Sequence, residues 1–278
     1  MSGAIAAWLT APIVPLAWAW KIARSDGMVL GFTSHDRDLV RGGMTYVATP
    51  GIAPSALSLS ASLDADTMDI AGALTADAIS EDDLDAGRWD GAAVTLHIVN
   101  WEDADEPLIL VAQGSLGAVE RKRGGFAAEL RTLDAGLDAP VAPETAPGCR
   151  ARLGDSACRV DLAPRSRLVR LAGVEGRTVT VESAGEGLID GAAFAYGRLR
   201  FVTGPNAGLT GLIVAGAEQS LTLARDPAFA VEAGTRAEII EGCDKQLATC
   251  AGRFGNAVNF RGEPYLPGMD YVTRYPGA

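Results

Sequence analysis

Histidine and long apolar runs are scarce in this sequence, and each scarcity excludes a class of protein. Two histidines in 278 residues leave little room for catalysis that depends on imidazole groups. No run of about 18 apolar residues occurs, so we expect no membrane span and no stable membrane association. The first residues lack a basic start and are interrupted by Pro12 and Pro15, so we expect no signal peptide.

Basic charge is also in short supply. The chain has 24 Lys and Arg against 35 Asp and Glu, a formal net charge of −11. Proteins that bind nucleic acid in bulk use Lys and Arg to displace counterions from phosphates, so the charge argues against that class. The sequence contains no nucleophile elbow, Walker loop or Rossmann fingerprint. We therefore expect a protein that is not an enzyme.

The first half of the chain consists of short, partly alternating segments between turn residues, which predicts antiparallel strands. The predicted strands are Ala17–Arg24, Met28–Ser34, Met44–Thr49, Ala92–Trp101, Leu108–Gln113, Gly117–Arg121 and Phe126–Arg131. One short helix is predicted after Ser80, which can cap it, with Gly87 ending it. Trp18 and Trp20 share one face of their strand by the period of two, so we expect them in the core.

The second half is a separate β-rich unit. A Pro-rich break falls at Asp138–Pro147, and from Ser166 to Ile240 strands and Gly turns recur about every ten residues, which is typical of a small barrel or sandwich. The expected fold is therefore mainly β, with short helices in the first domain. The predicted divisions are an antiparallel-sheet domain at 1–148, a Cys-containing connector at 149–165, an inserted small barrel at 166–241 and a Cys-containing C-terminal segment at 242–278.

Four cysteines form two pairs that bracket the predicted barrel, Cys149 with Cys158 and Cys243 with Cys250. If the barrel is closed and its ends meet, the four sulfurs converge at its base. Structural zinc usually has two to four residues between paired cysteines, whereas here there are eight and six. An iron–sulfur cluster is less tied to short spacing. Two disulfides, or four unrelated buried cysteines, are the remaining alternatives.

The residues around the second pair carry a specific pattern. The matching elements are Gly242–Lys245, Thr249–Cys250, Arg253–Asn256, Asn259–Gly262 and Pro264–Gly268. Together they resemble the C-terminal signature of a family of phage tail hub proteins, found in tailed phages of the long non-contractile type and in gene transfer agents of alphaproteobacteria. The segment Gly31–Leu39 is similar to the early part of the same family.

The family is similar to the lambda-type minor tail protein, which binds a [4Fe–4S] cluster at the tail tip. The resemblance implies that such a cluster is held by Cys149, Cys158, Cys243 and Cys250. It also implies a structural baseplate hub, made in the bacterial cytoplasm and located at the tail tip of a virion or gene transfer agent particle. The implied partners are two further copies of the chain in a trimeric ring, the distal tail protein ring, a central spike or fibre protein and a tail-associated peptidase. DNA would only pass through the lumen.

Without the family resemblance, the residues also allow two other functions. A zinc or iron–sulfur enzyme, such as a tail-associated cell-wall hydrolase, would need a catalytic constellation, and the one such grouping is His35, Asp36 and Asp38. We interpret that grouping as a loop network in which Arg37 pairs with an aspartate. A soluble redox protein would need an accessible, reversible reduction potential.

Several cations lie close to the cysteines in the sequence. They are Arg150, Arg152, Arg159, Arg165, Lys245 and Arg253. They would offset the negative charge of a thiolate-bound cluster, or they are ordinary solvated surface charges.

Overall fold

The computed structural model describes residues 7–49, 53–54, 67–72, 80–122, 125–132, 144–185 and 187–266. The chain divides into two compact units, Met1–Val141 and Ala142–Ala278. The boundary between them falls inside the Pro-rich segment 138–147. Pro267 and Gly268, which end the C-terminal motif, lie outside the described residues.

Unit 1 is built on one nine-stranded sheet with the order β3-β4-β2-β1-β7-β8-β9-β6-β5. Its elements are β1 Leu16–Ala23, β2 Val29–Thr33, β3 Leu39–Arg41, β4 Met44–Ala48, β5 Ala53–Pro54, β6 Thr67–Gly72, α1 Glu81–Asp85, β7 Ala93–Asn100, β8 Ile109–Lys122 and β9 Gly125–Thr132. The predicted meander of β7, β8 and β9 is confirmed, since these strands pair antiparallel in sequence order.

Two features of this sheet differ from the prediction. β2 and β4 pair in parallel, with Phe32 opposite Val47, whereas an entirely antiparallel sheet was expected. β8 is one strand of 14 residues rather than two strands, and a register shift between Leu116 and Val119 takes up the irregular stretch. A bulge of this kind keeps the ladder continuous while it bends the strand.

The interior strand β1 is buried on both faces. Trp20 and Ile22 pack on one side with Phe32 and Leu96, and Trp18 contacts the same cluster, as the period of two predicted. Ala17 and its neighbour Ala19 face a second cluster on the other side. Large side chains on one face and small ones on the other therefore let a single strand contribute to two packed layers.

Helix α1 begins at the predicted cap. The hydroxyl of Ser80 accepts the backbone N–H of Asp83 at 3.1 Å, which satisfies one of the free donors of the first turn. Gly87 follows the helix with φ of +71°, a conformation that glycine adopts without strain. None of the helices in the described part of the chain has the length and apolar character needed to cross a membrane.

Unit 2 contains a closed six-stranded antiparallel barrel with the order β10-β11-β14-β13-β12-β15. Its elements are β10 Ser166–Glu175, β11 Thr178–Ser183, β12 Arg198–Phe201, β13 Thr210–Ala217, β14 Ser220–Leu223, β15 Arg236–Ile240 and, after the barrel, α2 Leu247–Gly252. The predicted recurrence of strands from Ser166 to Ile240 is confirmed, and closure selects the barrel over the sandwich.

The barrel interior is filled by alternate side chains from every strand. Val169, Leu199, Ile213, Leu221 and Ile239 each have 0% exposure. The first and last strands of the barrel are neighbours, with Ser166 opposite Ile240. The chain therefore enters and leaves the barrel at one point, and the mainly β prediction is confirmed for both units.

Candidate metal centre

The second cysteine pair begins where the chain leaves the barrel. Gly242 passes so close to another segment that a Cβ there would lie 1.9 Å from the carbonyl oxygen of Ala195, so only glycine fits. Asp244 fixes the following turn, because its carboxylate accepts the Gln246 N–H at 2.9 Å and the Thr249 hydroxyl at 2.7 Å. This turn leads into α2.

The first pair is held by an aspartate turn. The carboxylate of Asp155 accepts the backbone N–H groups of Arg152 at 2.7 Å, Ala157 at 3.0 Å and Cys158 at 2.7 Å. These hydrogen bonds, first of all the one from Cys158, lower the pKa of the Asp155 carboxyl, because they favour its charged form. The turn thus directs Cys158 inward, where it is 8% exposed.

Backbone contacts bring the two pairs together. The N–H of Cys149 donates to the carbonyl of Lys245 at 2.9 Å, and the N–H of Arg150 donates to the carbonyl of Arg261 at 3.0 Å. Gly262 lies against the same segment, since a Cβ there would be 2.5 Å from the carbonyl oxygen of Gly148. The glycine of the Asn259–Gly262 motif therefore permits this close approach.

An ion pair closes the same junction from outside. Arg150 binds both carboxylate oxygens of Glu263, at 2.6 and 2.8 Å, and the Ala146 N–H donates to that carboxylate at 2.9 Å. These contacts, led by the Arg150 hydrogen bond, lower the pKa of Glu263 to about 2. A bidentate pair of this kind fixes geometry as well as charge.

Asn256 links the two buried cysteines. Its side-chain amide donates to the carbonyl oxygen of Cys158 at 2.6 Å, and its own carbonyl oxygen accepts the thiol of Cys250 at 3.3 Å. The Asn256 N–H also donates to the backbone carbonyl of Cys250 at 2.9 Å. One residue of the Arg253–Asn256 motif therefore contacts a cysteine from each pair.

Cys149, Cys158 and Cys243 all lie near enough to Cys250 to interact with it electrostatically. All four thiols are free. Burial raises the pKa of the Cys250 thiol, and the other three cysteines raise it further through electrostatic repulsion. Backbone N–H groups of Lys245 and Arg261 lie 3.4 Å from the sulfurs of Cys243 and Cys149, respectively.

Thiols are the donor type that an iron–sulfur cluster uses. The four thiols are unpaired, and hydrogen bonds from N–H groups to sulfur are among the contacts that tune such clusters. A single zinc ion bound at 2.3 Å would need sulfurs about 3.8 Å apart. Across the described ranges, no three or more His, Cys, Asp or Glu side chains are arranged to hold one metal ion.

Cations near the cysteines serve as structural connections. Arg165 and Arg253 both bind Glu241, at 2.9 and 2.7 Å, and both guanidinium groups lie over the ring of Phe254. The ammonium group of Lys245 donates to a backbone carbonyl, that of Ala151. These contacts join the end of the barrel to the segments that carry the cysteines.

A pocket of about 230 Å³ opens beside Cys243. Tyr196, Leu212 and Leu153 contribute its apolar surface, and Arg198 also lines it. Tyr196 has φ of +63°, a conformation that bulky residues rarely adopt, and its side chain is largely exposed.

In unit 1, the grouping of His35, Asp36 and Asp38 is a loop network. The ring Nδ1 of His35 accepts the Arg37 N–H at 3.1 Å and lies 3.2 Å from the carboxylate of Asp36. Asp38 accepts the backbone N–H of Ala48 at 2.8 Å. The guanidinium group of Arg37 forms no ion pair with any described residue, so hydrogen bonds hold the loop rather than the expected Arg–Asp pair.

Sequence reasoning assigned no role to three of the residues that contact the cysteine segments, Asp155, Asn256 and Glu263. Asp155 could have been found, because an Asp three residues before Cys158 is the spacing of a local turn. Asn256 and Glu263 act across more than 90 residues of chain, and no local pattern indicates their partners.

The comparisons with known proteins extend over both units. Residues 2–161 match a family model described as baseplate hub protein, N-terminal attachment domain. Residues 192–270 match another, described as phage conserved hypothetical protein BR0599. A chain in a solved structure, the virion of a native gene transfer agent particle, is 38% identical with a TM-score of 0.84, covering 97% of this chain and 94% of that chain. A comparison with curated proteins gave no match.

Proposed function

Because the chain belongs to the baseplate hub protein family, we propose that it is a structural protein of a phage-type tail tip. The observation that carries this proposal is the similarity, over 97% of the chain, to a chain of a gene transfer agent virion. Within such a tail tip, copies of this protein would form a ring of three. The ring would join the distal tail protein ring to a central spike or fibre protein, with a tail-associated peptidase as a further neighbour.

Deleting the gene in a producing strain tests this role. We expect particles that lack a complete tail tip in electron micrographs and that no longer deliver DNA, and we expect the wild-type gene to restore both. Particles with complete tips and normal delivery in the deletion strain would overturn the proposal. Cross-linking of intact particles, followed by mass spectrometry, would identify the neighbouring tail proteins.

We also propose that the ring lines the path by which DNA leaves the particle. Unit 1 carries 20 Asp and Glu against nine Lys and Arg. Like charge on the wall of a channel disfavours adhesion of DNA during passage. Replacing lumen-facing acids by Lys, once they are mapped in the particle, should slow delivery without reducing assembly. Unchanged delivery would contradict this part of the proposal.

The third part of the proposal is a structural [4Fe–4S] cluster held by Cys149, Cys158, Cys243 and Cys250. Its support is the convergence of four free thiols at the junction of two chain segments. Such a cluster would cross-link the segments on either side of the barrel. The protein's own contribution is the set of backbone and side-chain hydrogen bonds that position the sulfurs.

Anaerobic purification with iron and sulfide analysis tests the cluster. We expect about four irons and a broad visible absorption band in the wild type, their loss in Cys243→Ser, and their retention in the control Ser183→Ala on the barrel. One zinc per chain, or protein without metal, would refute the cluster and leave the tail-tip role to be judged by the deletion experiment.

A further inference from the structure

One side of the barrel has a strongly basic outer surface. Outward positions on β12, β15 and β10 carry the exposed residues Arg198, Arg200, Arg236 and Arg170. We call these four residues the barrel face. Two acidic residues share this surface: Glu238 on β15 lies opposite Arg200, and Glu182 on β11 lies opposite Arg170.

One pair of these arginines is placed unfavourably for an isolated barrel. Arg170 and Arg236 are directly opposite each other on paired strands. Like charges in that position destabilise a sheet. Within the described residues, none of the four guanidinium groups has an ion-pair or hydrogen-bond partner. Although Glu182 and Glu238 lie opposite Arg170 and Arg200, no ion pair joins these described residues, so the guanidinium groups remain available to an anion from outside.

Apolar side chains lie among the arginines. Leu168 is 48% exposed, Val202 47% and Leu212 56%. Leu212 is opposite Arg198 and lines the pocket that Tyr196 borders. Arginine together with exposed apolar and aromatic side chains is the composition of protein–protein interfaces, where lysine is depleted. This favours a protein partner over nucleic acid.

Unit 1 contains a surface of complementary chemistry. The loop Trp101–Glu106, sequence WEDADE, places Glu102, Asp103, Asp105 and Glu106 beside Trp101, which is 40% exposed. No ion pair joins these four carboxylates to a described cation. We call this segment the acidic loop.

The acidic loop is held in shape by the sheet beneath it. Arg41 donates to the carbonyl oxygens of Asn100 at 3.0 Å and Asp103 at 3.3 Å. Trp101 lies against His35, with ring centroids 5.1 Å apart. A preformed loop loses little conformational freedom on binding.

The distribution of charge between the two units agrees with the complementarity of the barrel face and the acidic loop. Unit 1 accounts for the whole net charge, since unit 2 has 15 Lys and Arg and 15 Asp and Glu. A second copy of the chain would therefore approach the barrel face with its acidic unit.

We propose that the barrel face of one copy binds the acidic loop of a second copy. The four arginines would pair with the loop carboxylates, and Trp101 would cover Leu212 and Tyr196. Because the two surfaces differ, the contact is heterologous and can close into a ring. The inference rests on the proposed ring of copies and names the surfaces that join them.

Charge reversal in the full-length chain tests the contact, with mass in solution measured by sedimentation at low and high salt. Arg198→Glu with Arg200→Glu, and separately Glu102→Arg with Asp105→Arg, should each weaken self-association about tenfold or more. The chain carrying all four substitutions should recover it. The exposed controls Arg177→Glu and Glu232→Arg should behave as the wild type.

The outcomes separate this inference from the proposed function. If the wild type associates and neither pair of charge-reversal substitutions changes its mass in solution, the barrel-face contact is overturned and the tail-tip role stays intact. A monomeric wild type at every concentration also overturns it. Binding of a DNA duplex probe that is lost with Arg198→Glu and Arg200→Glu, without self-association, would assign the face to nucleic acid instead. Failure of the proposed function is read independently, from the deletion strain.

Discussion

Adding one methyl group at position 262 is expected to separate the two segments that carry the cysteines. In Gly262→Ala the new Cβ would lie 2.5 Å from the carbonyl oxygen and 2.7 Å from the carbonyl carbon of Gly148. Both are backbone atoms, so no side-chain rotation relieves the contact. The backbone around Cys149 must therefore move away from residue 262.

The size of the effect follows from what that movement disturbs. Overpacking of a tight contact costs about 1–3 kcal/mol. The hydrogen bond from Arg150 to the carbonyl of Arg261, now 3.0 Å, lies next to the clash, and its loss adds about 1 kcal/mol. We expect Gly262→Ala to lower the free energy of unfolding of unit 2 by about 2–4 kcal/mol in total.

Gly252→Ala is the matched control. Gly252 ends α2, and no atom lies within 4 Å of the position a Cβ would take. Alanine has the higher helix propensity, so this change should be neutral or should stabilise by up to about 1 kcal/mol.

Urea unfolding at neutral pH measures both variants. Each is compared in the native chain and in the Cys243→Ser background, so that the backbone effect is seen whether or not a cofactor is bound. Equal stability of Gly262→Ala and Gly252→Ala would show that the close approach of residues 148 and 262 is not a constraint, and would refute the reasoning.

Three further changes test other contacts. The Glu263 carboxyl has a pKa of about 2 in the folded chain, against an ordinary value of 4.5. Its contribution to stability is therefore present above pH 4.5 and is lost as the pH falls toward 2. The difference in free energy of unfolding between the wild type and Glu263→Gln should shrink over that interval in urea titrations. Asn256→Ala removes the hydrogen bond to Cys158 and should lower the free energy of unfolding by about 1–2 kcal/mol. We also expect a lower iron content after reconstitution. Unchanged values of both quantities would contradict the role of Asn256 in linking Cys158 to Cys250. In the barrel, Leu199→Ala should cost about 2–5 kcal/mol, whereas the exposed Leu212→Ala should stay within about 0.5 kcal/mol of wild type in the same thermal or urea assay.

Much of the fold could be predicted because the pattern of each strand is local. β1 was identified from Trp18 and Trp20 on one face, and α1 from the hydroxyl of Ser80 at its start. The six barrel strands were separated by glycine turns. Each of these signals lies within about ten residues of the element that it predicts.

The missed features are those that depend on distant partners. The parallel pairing of β2 with β4 requires a connection through β3, which the alternation within each strand does not specify. The meeting of the barrel ends was predicted, because a small closed barrel brings its first and last strands together. Glu263, which helps to complete the junction, has its partners Ala146 and Arg150 more than 100 positions away, so its role becomes evident only in the folded chain.

The pairing of Ser166 with Ile240 also changes the polymer physics of the cysteine group. In an unfolded chain, 84 residues separate Cys158 from Cys243, and bringing them together closes a long loop. Once the barrel has folded, its ends are one strand spacing apart, and the effective loop shrinks to about a dozen residues. The entropic penalty of closure then falls by about 1.7 kcal/mol. A barrel that folds first would thus prepare the cysteines to meet, and folding of the barrel would promote any binding that needs all four sulfurs.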